Sequence, residues 1–95
     1  MREAVALVSP PATLNAGTDT ALTFVQSISD GVVQNNSAAA IGVEYDAVAT
    51  AGSLQLAAGA LLQIEEKVTV LHLLAATALT LNGTAPGGVV VKGFA

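Results

Sequence analysis

Residues 41–46 read Ile41-Gly42-Val43-Glu44-Tyr45-Asp46 and give the clearest indication of the fold class. Its first, third and fifth side chains are apolar, whereas glycine and two carboxylates occupy the positions between them. Successive side chains of a β-strand point to opposite faces, so the alternation predicts a strand with one apolar and one acidic face. We therefore expect a chain built from sheets.

The same period of two continues on both sides of this stretch. It recurs in residues 22–28, 68–74, 79–81 and 89–91. Turn residues separate these runs, and two dipeptides, Asp30-Gly31 and Asn82-Gly83, are typical of hairpins. The pattern predicts an all-β fold, a small antiparallel β-sandwich or barrel-like domain of about seven to eight short strands.

One segment, residues 54–66, also permits a helix, because its leucines have a spacing that a helix can use. Gly59 lies in its middle and costs a helix about 1 kcal/mol relative to alanine. We interpret residues 54–56 and 61–65 as strands on either side of an Ala57-Ala58-Gly59 turn.

The chain of 95 residues is long enough for one domain. We expect an N-terminal arm or edge strand at residues 1–12, ending near Pro10-Pro11, and a single β-sandwich domain at residues 13–95. The first residues lack the long apolar stretch of a signal peptide. Residues 68–81 contain no Asp, Glu, Lys or Arg, but they are too few to span about 30 Å of hydrocarbon, so no membrane partner is expected.

The composition is apolar and poor in charge. Hydrophobic residues make up 53% of the chain, aromatic residues 3% and charged residues 11%, against about 25% charged residues in an average domain. With so few charges on its outside, the protein is expected to cover some apolar surface with another subunit or partner. The net charge is −4 and the three cationic side chains are scattered, which argues against nucleic acid as a partner.

The sequence offers little for catalysis. His72 is the single histidine and lies among leucines, with no local nucleophile motif, so we interpret it as a core or interface residue. Glu44 and Asp46 project from one strand face and have the oxygen ligands that calcium takes, but no further ligands are spaced nearby, which favours a solvated face. We expect no enzyme, no metal and no cofactor.

Four stretches carry a family resemblance: residues 33–37 (Val-Gln-Asn-Asn-Ser), 41–46, 56–59 (Leu-Ala-Ala-Gly) and 68–72 (Val-Thr-Val-Leu-His). Their succession resembles small structural proteins of tailed-phage virions, in which an Asn-x-Ser turn leads into a strand and a Leu-x-x-Gly turn follows. The resemblance covers roughly residues 31–83. It implies a capsid decoration, or cement, protein on the outside of a phage head, in many cases a homotrimer, that stabilises the lattice of the major capsid protein.

Two sets of contact residues follow from this interpretation. For the subunit interface we expect Leu71, His72, Leu73, Val89 and Val91. For the capsid contact we expect Val5, Leu7, Pro10 and Pro11. A tail, fibre or baseplate module and a carbohydrate- or receptor-binding β-sandwich stay open as alternatives, although sugar recognition needs aromatic platforms and the chain has three aromatic residues.

Overall fold

The alternating residues form strands whose apolar side chains face inward. The computed structural model describes residues 3–82 and 87–95. Within them the chain forms no helix and eight strands: β1 (Ala4–Val5), β2 (Asp19–Ile28), β3 (Asp30–Asn35), β4 (Ile41–Tyr45), β5 (Leu54–Leu56), β6 (Leu61–Ile64), β7 (Val68–Leu74) and β8 (Val89–Phe94). The predicted all-β sandwich is confirmed, and so is the preference for strands over a helix in residues 54–66.

Two four-stranded antiparallel sheets make the sandwich. The first sheet has the order β1-β8-β3-β6, and the second has the order β2-β7-β4-β5. Among the described strands, only β4 and β5 are both consecutive in the chain and hydrogen-bonded to each other. The other consecutive strands lie in different sheets, so the chain passes repeatedly from one layer to the other.

The core lies between the two inner faces. Its largest fully buried side chains come from both sheets and from the segment before β2; they are Leu14, Leu22, Ile28, Val33, Ile41, Ile64, Val68, Leu71, Leu73 and Val89. These residues follow the alternation of the sequence. Burial of each large aliphatic side chain contributes about 1.5–3 kcal/mol to folding, so this layer holds the sheets together.

The prediction of a hairpin at Asp30-Gly31 is wrong. β2 and β3 belong to different sheets, and the chain crosses between them at Ser29. Gly31 lies inside β3, with a φ outside the left-handed region. A Cβ atom there would contact the carbonyl oxygen of Lys92, so close approach of β8, rather than a turn, requires the glycine.

At the second predicted hairpin, Asn82 has the left-handed conformation expected of a turn, with φ of 52°. Gly83 lies outside the described residues, as does Pro86 of the predicted turn at residues 86–88. Residues 79–81 form isolated bridges instead of a strand, from Thr80 to Thr13 and from Leu81 to Val89.

The N-terminal arm, which we define as residues 3–8, joins both sheets. Val5 pairs with Gly93 of β8 in the first sheet. Two residues later Leu7 bridges to Phe24 of β2 in the second sheet. No helix that could cross a membrane occurs in the described ranges.

Candidate interaction surfaces

His72 lies on the outer face of the second sheet, opposite Ala21 of β2 and Glu44 of β4. Its Nδ1 atom is 2.8 Å from Oδ2 of Asp19. The other oxygen of Asp19 accepts the backbone N–H of Ala49 at 2.9 Å. The pair therefore ties β2, β7 and the loop before β5 together.

The Asp19–His72 pair has the orienting half of a catalytic triad, because a carboxylate holds one ring nitrogen. A nucleophile is also needed, and in the described ranges no hydroxyl group is hydrogen-bonded to the ring. The hydroxyl of Ser53 instead donates to Oε1 of Glu44 at 2.9 Å. The Ser53–Glu44 and Asp19–His72 hydrogen bonds thus join residues of β2, β4, β7 and the loop before β5.

Glu44 and Asp46 do not act as a pair. Asp46 follows β4 with φ of 57°, and its Oδ1 atom accepts the N–H groups of Thr69 and Val70 at 3.1 and 2.8 Å. Each carboxylate therefore satisfies a different local donor. No group of three or more potential metal ligands occurs in the part of the chain that the structure describes.

Asn35 is the most heavily hydrogen-bonded side chain of the described residues. It is fully buried at the end of β3, and its Nδ2 atom donates to the carbonyl oxygens of Ala39, Leu56 and Ala57 at 2.8, 3.0 and 3.2 Å. Its Oδ1 atom accepts both the N–H and the hydroxyl of Ser37. Two of the stretches that carry the family resemblance, residues 33–37 and 56–59, thus meet at this side chain.

The residues expected at a subunit interface are placed mostly inside the sandwich. Leu71, Leu73 and Val89 have no exposed surface, and Val91 is 5% exposed. The fold does not present these four side chains to another subunit, because they already fill the space between its own sheets. His72 is half-buried on an outer face, and its interface role stays a prediction.

The residues expected at the capsid contact are divided. Val5 belongs to the core at 7% exposure, and Leu7 packs against that core. Pro10 and Pro11 are exposed. Val5 and Leu7 are therefore used inside the protein's own sandwich, whereas Pro10 and Pro11 remain on the surface.

Other exposed apolar side chains lie in one uncharged segment of the chain, which includes an edge strand of each sheet. Residues 47–64, which we call the uncharged edge, contain no charged side chain. They hold three of the large aliphatic side chains that are more than half exposed: Val48 at 63%, Leu54 at 57% and Leu61 at 54%. The strands in this segment, β5 and β6, are edge strands with one neighbour each.

The sequence contained a signal for this edge. The eighteen residues between Asp46 and Glu65 lack charge, which is unusual for a segment with several exposed positions. The aromatic residues give no sugar-stacking platform of comparable exposure, since Phe24 is buried and Tyr45 and Phe94 are half-buried.

Comparisons of the chain with protein-family models, with curated proteins and with solved structures find no match.

Proposed function

We propose that the chain is a non-catalytic structural module of a tailed-phage virion that binds the outside of the head and stabilises the lattice of the major capsid protein. The resemblance of residues 31–83 to small virion proteins suggests this role. The uncharged edge is the observation that carries it, because it combines exposed aliphatic side chains with two strands that have an open side.

The physical basis is removal of apolar surface from water. Val48, Leu54 and Leu61 expose aliphatic groups that a partner would cover, and each covered Å² contributes about 25 cal/mol before the costs of association. An edge strand also has unpaired backbone groups, to which an extended segment of a partner can add. The uncharged edge therefore suits a protein surface better than a small polar ligand.

The polar groups of the molecule support a structural role. Asp19, Glu44 and Asp46 each accept hydrogen bonds from their own chain, and Asn35 connects the end of β3 to β5 and to the loop before β4. These groups rigidify the domain, and a rigid domain loses little conformational entropy on docking. Exposed Pro10 and Pro11 are a second contact for the capsid in this proposal.

Protein mass spectrometry of purified virions tests the proposal. A cement protein is expected in the particle at a copy number comparable to that of the major capsid protein, and it should bind to purified heads that lack it. A copy number of a few per particle would assign the chain to the tail, a fibre or the baseplate instead. Its absence from virions, together with no binding to heads, would overturn the proposal.

A further inference from the structure

The N-terminal arm is bound to the body by a short, separable set of contacts. Its backbone exchanges hydrogen bonds with β8 and the C-terminal residue, where the N–H of Ala95 donates to Glu3 at 2.9 Å. It also contacts β2, since the N–H of Val8 donates to Thr23 at 2.7 Å and Val25 donates to Ala6 at 2.9 Å.

The arm covers the core incompletely. A cleft of about 520 Å³ is lined by arm residues such as Val5 and Leu7 together with body residues such as Phe24, Val91 and Gly93. Val5 nevertheless reaches the core. The body thus pairs its backbone groups with this segment and takes up Val5, while apolar space beside the segment stays open.

A strained hinge connects the arm to the body. Ser9 has φ of 41°, a left-handed conformation that costs a residue with a side chain about 1–2 kcal/mol. Pro10 and Pro11 follow, and proline has no backbone N–H to donate. The chain is anchored again at Ala12, whose carbonyl oxygen accepts the N–H of Leu81 at 3.0 Å.

We propose that two copies of the chain exchange their N-terminal arms, so that the arm of each copy occupies on its partner the site that it occupies here on its own body. The occupant of the site is residues 3–8 of a second copy. The contacts that these residues make with their own body show that the segment can bind there. In the exchanged dimer the arm makes the same contacts, and Ser9 no longer needs the left-handed conformation. Strained hinge loops favour such domain swapping. This inference stands on the arm alone and does not require the capsid role.

Engineered disulfides test the exchange directly, because the chain has no cysteine of its own. Ala4 and Phe94 are cross-strand partners. The next pair along the two segments, Glu3 and Ala95, is hydrogen-bonded, and hydrogen-bonded and non-hydrogen-bonded pairs alternate in an antiparallel ladder. Ala4 and Phe94 are therefore a non-hydrogen-bonded pair, with Cα atoms about 4.5 Å apart. This distance is within the range of a disulfide. The Ala4→Cys and Phe94→Cys proteins would be mixed at high concentration and oxidised.

The expected product is a covalent heterodimer that exceeds the disulfide homodimer of either protein alone. The matched control mixes Ala4→Cys with Gln63→Cys, because Gln63 lies on β6 at the opposite edge of the same sheet. Cross-linking no greater than in this control, or a wild-type protein that sediments as a monomer at every concentration, would overturn the exchange.

A hinge variant gives a second measurement that keeps the arm and the body intact. Glycine adopts a positive φ without steric cost, so Ser9→Gly should stabilise the monomer in which the arm binds its own body. The dissociation constant of the dimer should therefore rise about fivefold or more. Ser29→Gly is the control, since Ser29 connects β2 to β3 without a positive φ. Equal dissociation constants for both variants and the wild type would contradict the role assigned to the hinge.

Discussion

Gly31 and Gly93 lie directly opposite each other on β3 and β8, and the other sheet fills the space that they leave. A Cβ atom on Gly93 would be 2.7 Å from both the Phe24 ring and the Ile28 side chain. Two large side chains of β2 thus pack against bare backbone of the first sheet. This contact sets the distance between the layers at the edge where the arm also binds.

Gly93→Ala is expected to destabilise the protein by about 1–3 kcal/mol, because the added methyl group overpacks this contact. Chemical denaturation followed by circular dichroism measures the change. Gly52→Ala is the control, since Gly52 is exposed and its added Cβ would have one neighbour, 3.8 Å away. A loss no larger than that of the control would contradict the close approach of the sheets.

Asn35→Ala is expected to cost about 2 kcal/mol or more, because it leaves the carbonyl groups of Leu56 in β5 and of Ala39 without their donor. The control is Asn36→Ala, whose side chain is exposed and whose described hydrogen bonds come from its backbone. Thermal or chemical unfolding compares the two variants. Similar stabilities would show that solvent replaces the Asn35 contacts.

The single tyrosine gives a prediction at high pH. Burial raises the pKa of Tyr45 above its ordinary value, and the Glu66 carboxylate raises it further. The folded state therefore holds this proton more tightly than the unfolded state. The resulting stability is present below about pH 10 and is lost as the pH rises through the folded pKa.

We expect the absorbance of tyrosinate, which reports Tyr45 alone, to titrate at higher pH in the folded protein than in denaturant. Tyr45→Phe should remove this part of the alkaline loss of stability. Identical titrations in the folded and unfolded states would contradict the burial of the phenol.

The double variant Leu54→Gln, Leu61→Gln tests the uncharged edge. Both side chains are more than half exposed, so each substitution should change stability by less than about 0.5 kcal/mol. Binding to capsids should weaken about tenfold or more if these residues are anchors of the contact. A binding assay with purified heads measures the change.

Val25→Gln is the matched control for that experiment. Val25 is a β-strand residue that is 60% exposed, and it lies on β2, at the edge of the second sheet away from β5. Equal loss of binding in both proteins would indicate general loss of apolar surface rather than a contact at the uncharged edge.

The strands could be predicted from the sequence because alternation is a local property. Ile41 and Val43 face the core and Glu44 the outer face, as their spacing requires. The pairing of strands could not be predicted in the same way, since β2 pairs with β7 and β3 with β8 across long stretches of chain. The glycine of Asp30-Gly31 does not by itself distinguish a turn from a strand, because glycine is common both in turns and where two backbones approach closely.

The candidate surfaces were less predictable than the fold. Leu71 and Val89 were predicted at an interface because they are strongly apolar. Large apolar side chains are common both in protein cores and at the centre of interfaces, so their presence does not distinguish the two. The Asp19–His72 hydrogen bond joins residues 53 positions apart, and no local motif marks it. Exposure of Leu54 and Leu61 depends on both strands being at sheet edges, which is a consequence of topology.

Asn35 also determines how the molecule opens. It lies at the end of β3 in one sheet, its side chain holds the end of β5 in the other, and its carbonyl oxygen accepts the N–H of Gly59 at 2.7 Å. Neither layer can separate at this end without breaking these hydrogen bonds, so a local fluctuation here costs more free energy than the opening of an untied turn. The amide proton of Gly59 should therefore exchange with deuterium more slowly than that of Gly52, which lies in an exposed turn of its own.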